Sequence, residues 1–399
     1  MATDRPLAGT RVLDLTNVLA GPFACHQLAH LGAEVIKVEA CGRGDLARGL
    51  GASPDLSDRG MGISFLAQNA GKSSLTLNLK TSEGRAVLER LVQGADVLVE
   101  NFRPGVMARL GVGAEHLRSI NPGLIYCAIS GFGQTGPWAN RPAYDQIIQG
   151  AAGVMDVTGN SETGPLRVGY PLADTVGGLT AAMAILAALN APKRGCVIDV
   201  SMLDAVLATM GWVVSNHLIG GAAPARNGNE NPTSAPSGAF QCADGLINIA
   251  ANKDEQWEVL ARLLGRDDLL AAPEFATRED RKRNRLRLKA ELETVLTTQP
   301  AAMWEAKLTE AGVPAGAVLS VADALAHPQV TGRDFLAEFT DVPGVESPVQ
   351  LARIGAMIDG VRPKVDTPPP ALGQHSDEIM RGLGYSAGEI TALRKKGVI

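Results

Sequence analysis

The sequence predicts an α/β protein built on an open, Rossmann-like sheet, and three observations carry that expectation. A segment that reads as a buried strand, Arg11-Val-Leu-Asp-Leu15, leads through a turn at Ala20-Gly-Pro22 and a helical stretch from Phe23 to Leu31 into a second strand, Glu34-Val-Ile-Lys-Val-Glu39. That order is a βαβ unit, which brings parallel strands and a right-handed crossover. The pattern then recurs along the first half of the chain. Glycine and alanine are plentiful while aromatic residues make up only 4% of the chain, as suits closely packed layers.

The remaining elements follow in order. Ser74–Leu79 is strand-like, Thr81–Val92 helical, Val97–Glu100 a strand and Leu124–Ile129 another. From Thr175 to Leu189 the chain is apolar on every face, the pattern of a helix buried all round. Cys196–Val200 is the next strand and Leu203–Met210 the next helix. Gly220-Gly-Ala-Ala-Pro-Ala-Arg-Asn-Gly228 has the composition of a linker. Short strands at Gly238–Gln241 and Leu246–Ala250 precede charged helices at Glu255–Leu264 and Arg281–Leu296. Gly312-Val-Pro-Ala-Gly316 interrupts again. The tail is loop-rich around Pro368-Pro-Pro370 and ends in a polar helix, Ser386–Lys395.

At 399 residues the chain exceeds what one hydrophobic core usually serves, so two domains are expected. A net charge of −5 argues against a general nucleic-acid binder. The five cysteines, at 25, 41, 127, 196 and 242, form no CxxC pair, which favours a reducing compartment. No signal peptide is visible at the N-terminus, and no apolar run approaches the roughly 20 residues of a membrane span. A cytoplasmic protein with no membrane partner is expected.

Several motifs resolve into structural readings. Gly131-Phe-Gly-Gln-Thr-Gly136 matches GxGxxG after a strand, but Pro137 and Pro142 prevent the helix that a dinucleotide loop requires. Glu39 ends the second strand where a ribose would be held, yet Val18-Leu-Ala-Gly-Pro22 lacks the glycine triplet. A nicotinamide oxidoreductase is therefore disfavoured. His26 and His30, with Cys25, lack further residues at ligand spacing, so helix packing is expected and no metal. Arg278 to Lys289 is basic but broken by acids and leucines, as in a solvated helix face.

Asp174 stands out. It immediately precedes the apolar stretch, where an N-cap would sit, and Gly177 and Gly178 clear the first turn for close approach. Free N–H groups and the helix dipole favour its ionised form, whereas desolvation favours the acid. A charged but poorly solvated carboxylate is a nucleophile candidate, although a capping aspartate needs no chemistry.

Read in order, further segments resemble the class III CoA-transferase family, the group of formyl-CoA transferase and carnitine CoA-transferase. They are Pro6-Leu-Ala-Gly-Thr-Arg-Val-Leu-Asp-Leu15, Leu31-Gly-Ala-Glu-Val-Ile-Lys-Val-Glu39, Asn69-Ala-Gly-Lys-Ser-Ser-Leu-Thr-Leu-Asn-Leu-Lys80, Asp96-Val-Leu-Val-Glu-Asn-Phe-Arg-Pro-Gly105, Ser130-Gly-Phe-Gly-Gln-Thr-Gly-Pro137 and Tyr144-Asp145. Pro236-Ser-Gly-Ala-Phe240 with Asp244-Gly245 resembles the start of that family's smaller domain.

The resemblance implies that Asp174 is the catalytic aspartate, carrying the acyl group as an anhydride and CoA as a thioester. It implies coenzyme A contacts from Asn17, Val18 and Ala20, from Leu77 and Lys80, and from Asn101, Phe102, Arg103 and Arg109. Tyr144 and Asp145 would line the thioester site. It further implies a homodimer of interlocked chains. Residues 1–200 would begin the large domain, 201–225 link, 226–322 form the small domain, and 323–399 return to the large one.

Two departures stand against the pattern. Ala40 replaces an arginine of the formyl-CoA enzyme, with Arg43 nearby, and the family's four-glycine run is absent around Arg226-Asn-Gly-Asn-Glu-Asn231. The expected substrates are an acyl-CoA and a small carboxylate, a short dicarboxylate above all, with Gly169-Tyr-Pro171 lining the acyl pocket and Tyr170 donating to a second carboxylate. The alternative within the superfamily is an α-methylacyl-CoA racemase. Tyr144 stands where that enzyme needs a histidine, and a phenol is a poor base at neutral pH.

Overall fold

The computed structural model describes residues 5–399. Its central feature is a six-stranded parallel sheet of β1 (Arg11–Asp14), β2 (Glu34–Glu39), β3 (Lys72–Thr76), β4 (Val97–Glu100), β5 (Ile125–Ser130) and β6 (Cys196–Ser201). The spatial order is β3-β2-β1-β4-β5-β6. The order therefore reverses between β1 and β4, and the loops leaving their carboxyl ends part there to open a crevice. The sheet is the one the βαβ pattern predicts.

Both faces of the sheet are covered, as a parallel sheet requires. Val12 and Leu13 on β1 point to opposite sides. Val12, Val99, Cys127 and Ile129 pack beneath the helices Ala20–His30 and Leu172–Leu189. Leu13, Leu75, Leu98 and Tyr126 pack with Leu88 of the helix Ser82–Gln93 and with Met380 and Ile390 of the two C-terminal helices. His26 and His30 pack together inside the first layer, ring centroids 4.4 Å apart and planes tilted by 47°, and burial holds both imidazoles well below their ordinary range.

The chain divides into two compact units. The first takes residues up to Val154, Arg167–Ala222 and Thr331–Ile399, and includes an antiparallel pair, Leu336–Phe339 with Val349–Ala352. The second takes Met155–Leu166 and Ala223–Val330. It contains an antiparallel sheet of Ser237–Gln241, Leu246–Ala250 and Ala315–Ala317 over a core of Phe240, Trp257, Leu292 and Trp304. The basic stretch there is not simply a solvated face. It forms two helices, Arg278–Arg283 and Arg285–Leu296, and Arg281 is almost fully buried. Its guanidinium donates to the carbonyls of Ala235 and Phe275 and pairs with Asp254, so the buried charge is satisfied by tertiary partners.

The apolar helix also differs from its all-round pattern. It runs Leu172–Leu189, and one face (Ala173, Gly177, Gly178, Ala181, Ala182, Ile185) is buried. Gly178 is required there, because a Cβ would lie 2.5 Å from the carbonyl oxygen of Ala20 on the neighbouring helix. On the other face Leu179 and Met183 are exposed, as are Trp212, Leu218 and Ile219 of the next helical segment. By length and composition alone this helix is apolar enough to cross a bilayer.

Four charges, from β1, β2, β3 and the loop after β2, lie wholly buried. Lys72 Nζ is 2.8 Å from Asp14, and Lys37 Nζ is 2.9 Å from Asp45 and 3.9 Å from Asp14. Burial works against the Asp14 charge, but Lys37 and Lys72 overcome it and hold the carboxyl well below the usual carboxylate range. Removing Lys37 leaves Asp14 with Lys72 but strips the buried Asp45 carboxylate of its cation. We expect Lys37→Met to destabilise the protein by about 3–5 kcal/mol in denaturant unfolding. A loss of a few tenths would mean that the four charges do not depend on one another.

Candidate active site

Asp174 lies in the first turn of its helix, not at the cap. The cap position is Pro171, and the first amides are all engaged. Leu172 donates to the carbonyl of Tyr170, and Thr175 to that of Pro171. Ala173 and Asp174 donate to Asp145 Oδ1, at 2.7 and 3.4 Å. Asp145 thus caps the helix from a distance, and its other oxygen accepts from Gln149 Nε2 at 2.7 Å. Gln149 also accepts from the amide of Val168 and donates to the carbonyl of Tyr170, which fixes the approach to the helix. The free helix-start N–H groups expected to favour the ionised form of Asp174 are therefore already taken.

This arrangement leaves the Asp174 carboxylate with no hydrogen bond or ion pair among the described residues. Desolvation, reinforced by the Asp145 charge, pushes its pKa up to about 7. Between the opposing effects of dipole and burial, burial wins, because Asp145 already answers the helix end.

Asp174 lines a cavity of about 340 Å³ at the carboxyl ends of β1, β4 and β5. Asn17, Val18, Ala20, Asn101, Phe102, Arg103 and Tyr144 share its wall. A second cavity of about 390 Å³ is lined by Leu77, Lys80, Ala40 and Cys41, and Asn17 and Phe102 border both. The two cavities thus meet at one pair of side chains. Arg109, at the end of the short helix Val106–Arg109, lines neither, and nor does Arg43. Asp145 is buried behind the wall. Tyr170 lies outside both cavities; it is half exposed, and the Gln149 bond holds its backbone.

The wall is built by polar bonds between loops. Asn17 and Asn101 exchange two hydrogen bonds: the Asn17 amide donates to Asn101 Oδ1, and Asn101 Nδ2 donates to the Asn17 carbonyl, both at 2.8 Å. Val18 has φ of 68°, costly for a β-branched residue, and its N–H donates to Asp45 Oδ1 at 2.9 Å. Asp45 is in turn held by Lys37 and by the amide of Ala47. Glu100 accepts from the Phe102 amide and the Tyr126 hydroxyl, and burial raises its pKa to about 7. Glu39 is committed to Arg48, Ser74 and the Asp45 amide, so it holds the pocket floor and not a ribose.

Sequence reasoning missed Asp45, Leu46, Arg141 and Met202, of which the last three line the first cavity. Only Arg141 carried a signal, as the one charged residue between Gly131 and Tyr144.

An α/β crevice at the switch point, with a lone desolvated carboxylate in its wall, suits an acyl-transfer enzyme. The model of CoA-transferase family III matches residues 7–376. An acetyl-CoA:oxalate CoA-transferase of Acetobacter aceti is 43% identical over 351 residues, 87% of this chain and 89% of its own. A succinate–glutarate CoA-transferase of Agrobacterium fabrum is 36% identical over 393 residues, 95% of this chain and 96% of its own. The crystal structure of a CAIB/BAIF family protein from Brucella suis superposes with a TM-score of 0.83 at 37% identity, covering 95% of this chain and 99% of that one. The chain belongs to CoA-transferase family III, and is an enzyme acting on CoA thioesters.

The raised pKa of Asp174 has a sign that can be measured. The folded state holds the proton up to about pH 7, whereas the unfolded carboxyl releases it near its ordinary value of 3.8. Stability present below the unfolded pKa is therefore lost as pH rises through the folded one. At most this costs about 4 kcal/mol above neutrality, less whatever water in the open cavity screens. Asp174→Asn should thus gain melting temperature relative to the parent between pH 5 and pH 8. A difference that stays constant with pH would contradict the desolvated carboxylate.

Proposed function

We propose that the protein transfers CoA from an acyl-CoA to a small carboxylic acid, a short dicarboxylate by preference, with Asp174 as the covalent carrier. The carrying observation is that Asp174 alone among the carboxylates lines the first cavity, without a partner and with a pKa raised by burial. A carboxylate so placed is poorly solvated when ionised and free to attack. Its oxygen adds to the donor thioester carbonyl and CoA thiolate leaves, giving an aspartyl mixed anhydride. The thiolate attacks the aspartyl carbonyl, giving an aspartyl-CoA thioester and the donor acid. The acceptor carboxylate then displaces the thiolate to form a second anhydride. Thiolate attack on the acceptor's carbonyl yields the new acyl-CoA and restores Asp174.

In this reading the pantetheine arm passes Asn17 and Phe102, where the two cavities meet. Its carrier end faces Asp174, and its nucleotide lies beside Leu77 and Lys80. Arg103 serves a phosphate through its guanidinium fork. Arg109, which lines neither cavity, is left at most a phosphate contact outside them. Tyr144 borders the thioester, and Asp145 fixes the nucleophile's backbone. The dicarboxylate preference draws on relatives whose names specify oxalate, succinate and glutarate. The exposed apolar residues Leu179, Met183, Trp212, Leu218 and Ile219 suit burial against a second copy in a homodimer.

Asp174→Ala should abolish transfer from acetyl-CoA to oxalate or succinate while circular dichroism and CoA affinity hold. In heavy water the parent should not exchange the proton next to the thioester without an acceptor acid. Near-normal transfer by the variant would refute the carrier. Rapid acceptor-independent exchange would favour the racemase chemistry.

A further inference from the structure

We infer that Arg141 is the specificity-determining residue of this site, binding the distal carboxylate of a dicarboxylate acyl group or acceptor. The inference rests on the proposed transfer reaction and names the group that selects its substrate.

Three charged residues line the first cavity: Asp174, Arg103 and Arg141. Neither arginine has an ion-pair partner among the described residues, so the wall carries two uncommitted cations facing one carboxylate. The arginines differ in place. Arg103 follows Phe102, which borders the second cavity as well. It therefore stands on the side where a nucleotide's phosphates would pass. Arg141 belongs to the loop between β5 and the helix Asp145–Ala151, and its neighbours Pro142, Ala143 and Tyr144 line only the first cavity.

The loop is held so that Arg141 is presented and not merely trailing. The Gln134 amide donates to both oxygens of Asp199, at 3.1 and 3.0 Å. The loop ends close together at Gly131 and Ala143, where a Cβ on Gly131 would lie 2.4 Å from that of Ala143. Within it, the Arg141 amide donates to the Trp138 carbonyl, and the guanidinium lies 4.5 Å from the centre of the Trp138 ring. Trp138 itself packs edge-on against Phe132 at 5.3 Å. An aromatic face under the guanidinium orients its fork and leaves the N–H edge free for a carboxylate.

Charge supplies the reason for such a group. A dicarboxylate reacts through one carboxyl and brings the other, still ionised, into a cavity that already holds Asp174 with Asp145 behind it. That second charge requires a counter-ion, whereas a monocarboxylate of equal length does not. Arg141 meets the need, and Tyr170, outside the cavity, does not.

The test uses acetyl-CoA as donor and succinate or butyrate as acceptor, with the full-length protein. The parent should prefer succinate by at least tenfold in kcat/KM. In Arg141→Gln that preference should collapse towards one, with the KM for succinate rising at least tenfold more than the KM for acetyl-CoA. Arg141→Lys should restore part of the preference. A rise in the KM for acetyl-CoA instead would make Arg141 a CoA contact and overturn the inference. So would equal losses with succinate and butyrate, which denote a structural role. Failure of the underlying reaction reads differently: turnover that survives Asp174→Ala strikes the carrier and leaves the succinate-to-butyrate ratio to judge Arg141.

Discussion

The Asp145 carboxylate, bound to the first amides of the Leu172–Leu189 helix, is the contact on which the site depends. A helix end buried without a cap would leave amides unsatisfied, and the nearest acid, Asp174, would be drawn into capping. Because Asp145 answers those amides from the facing helix, Asp174 is left unbonded. The same charge then raises the proton affinity of Asp174, adding to desolvation. One carboxylate is bound into the structure and the other is left unbonded in the cavity wall. Gln149 completes the device by holding Asp145 and both sides of the turn before the helix.

The rest of the site follows from the reversal of strand order between β1 and β4. Two loops part at that point, and each needs a tether because neither has a sheet neighbour beyond its strand. The Asn17–Asn101 exchange ties one loop to the other. The Lys37–Asp45 pair holds Val18 in its left-handed conformation. Buried charges are a costly way to fix a loop, but their geometry is defined, and a shift of one group leaves another unpaired. The same economy appears where Glu39 and Arg48 secure the turn that presents Leu46 to the cavity.

Legibility in the sequence follows the range of the interactions. Strands β1, β2 and β4 stand out because each carries β-branched and aliphatic residues with turn residues beside it. Asp174 stands out as the one charged residue between Arg167 and Lys193. Its capping role was misread, since the true cap is 29 residues away in sequence and joined only by folding. Arg281 looked like a surface charge because its satisfying carbonyls, at Ala235 and Phe275, lie on other segments. Trp212–Gly220 carries no helical period, because its polar residues, Ser215-Asn-His217, fall together and not on one face. Arg141 is not legible in the sequence as a site residue, because its place in the cavity wall comes from the folded loop and from Trp138 beneath its guanidinium.

The central claim is that Asp174 carries the acyl group and then CoA, and one measurement tests it most directly. The protein is mixed with acetyl-CoA in the presence of hydroxylamine, digested, and the peptide containing Asp174 is weighed by mass spectrometry. Both proposed intermediates are electrophilic at the side-chain carbonyl, so hydroxylamine should convert Asp174, and no other carboxylate, to its hydroxamate. An unmodified Asp174 peptide from protein that is turning over would contradict the account.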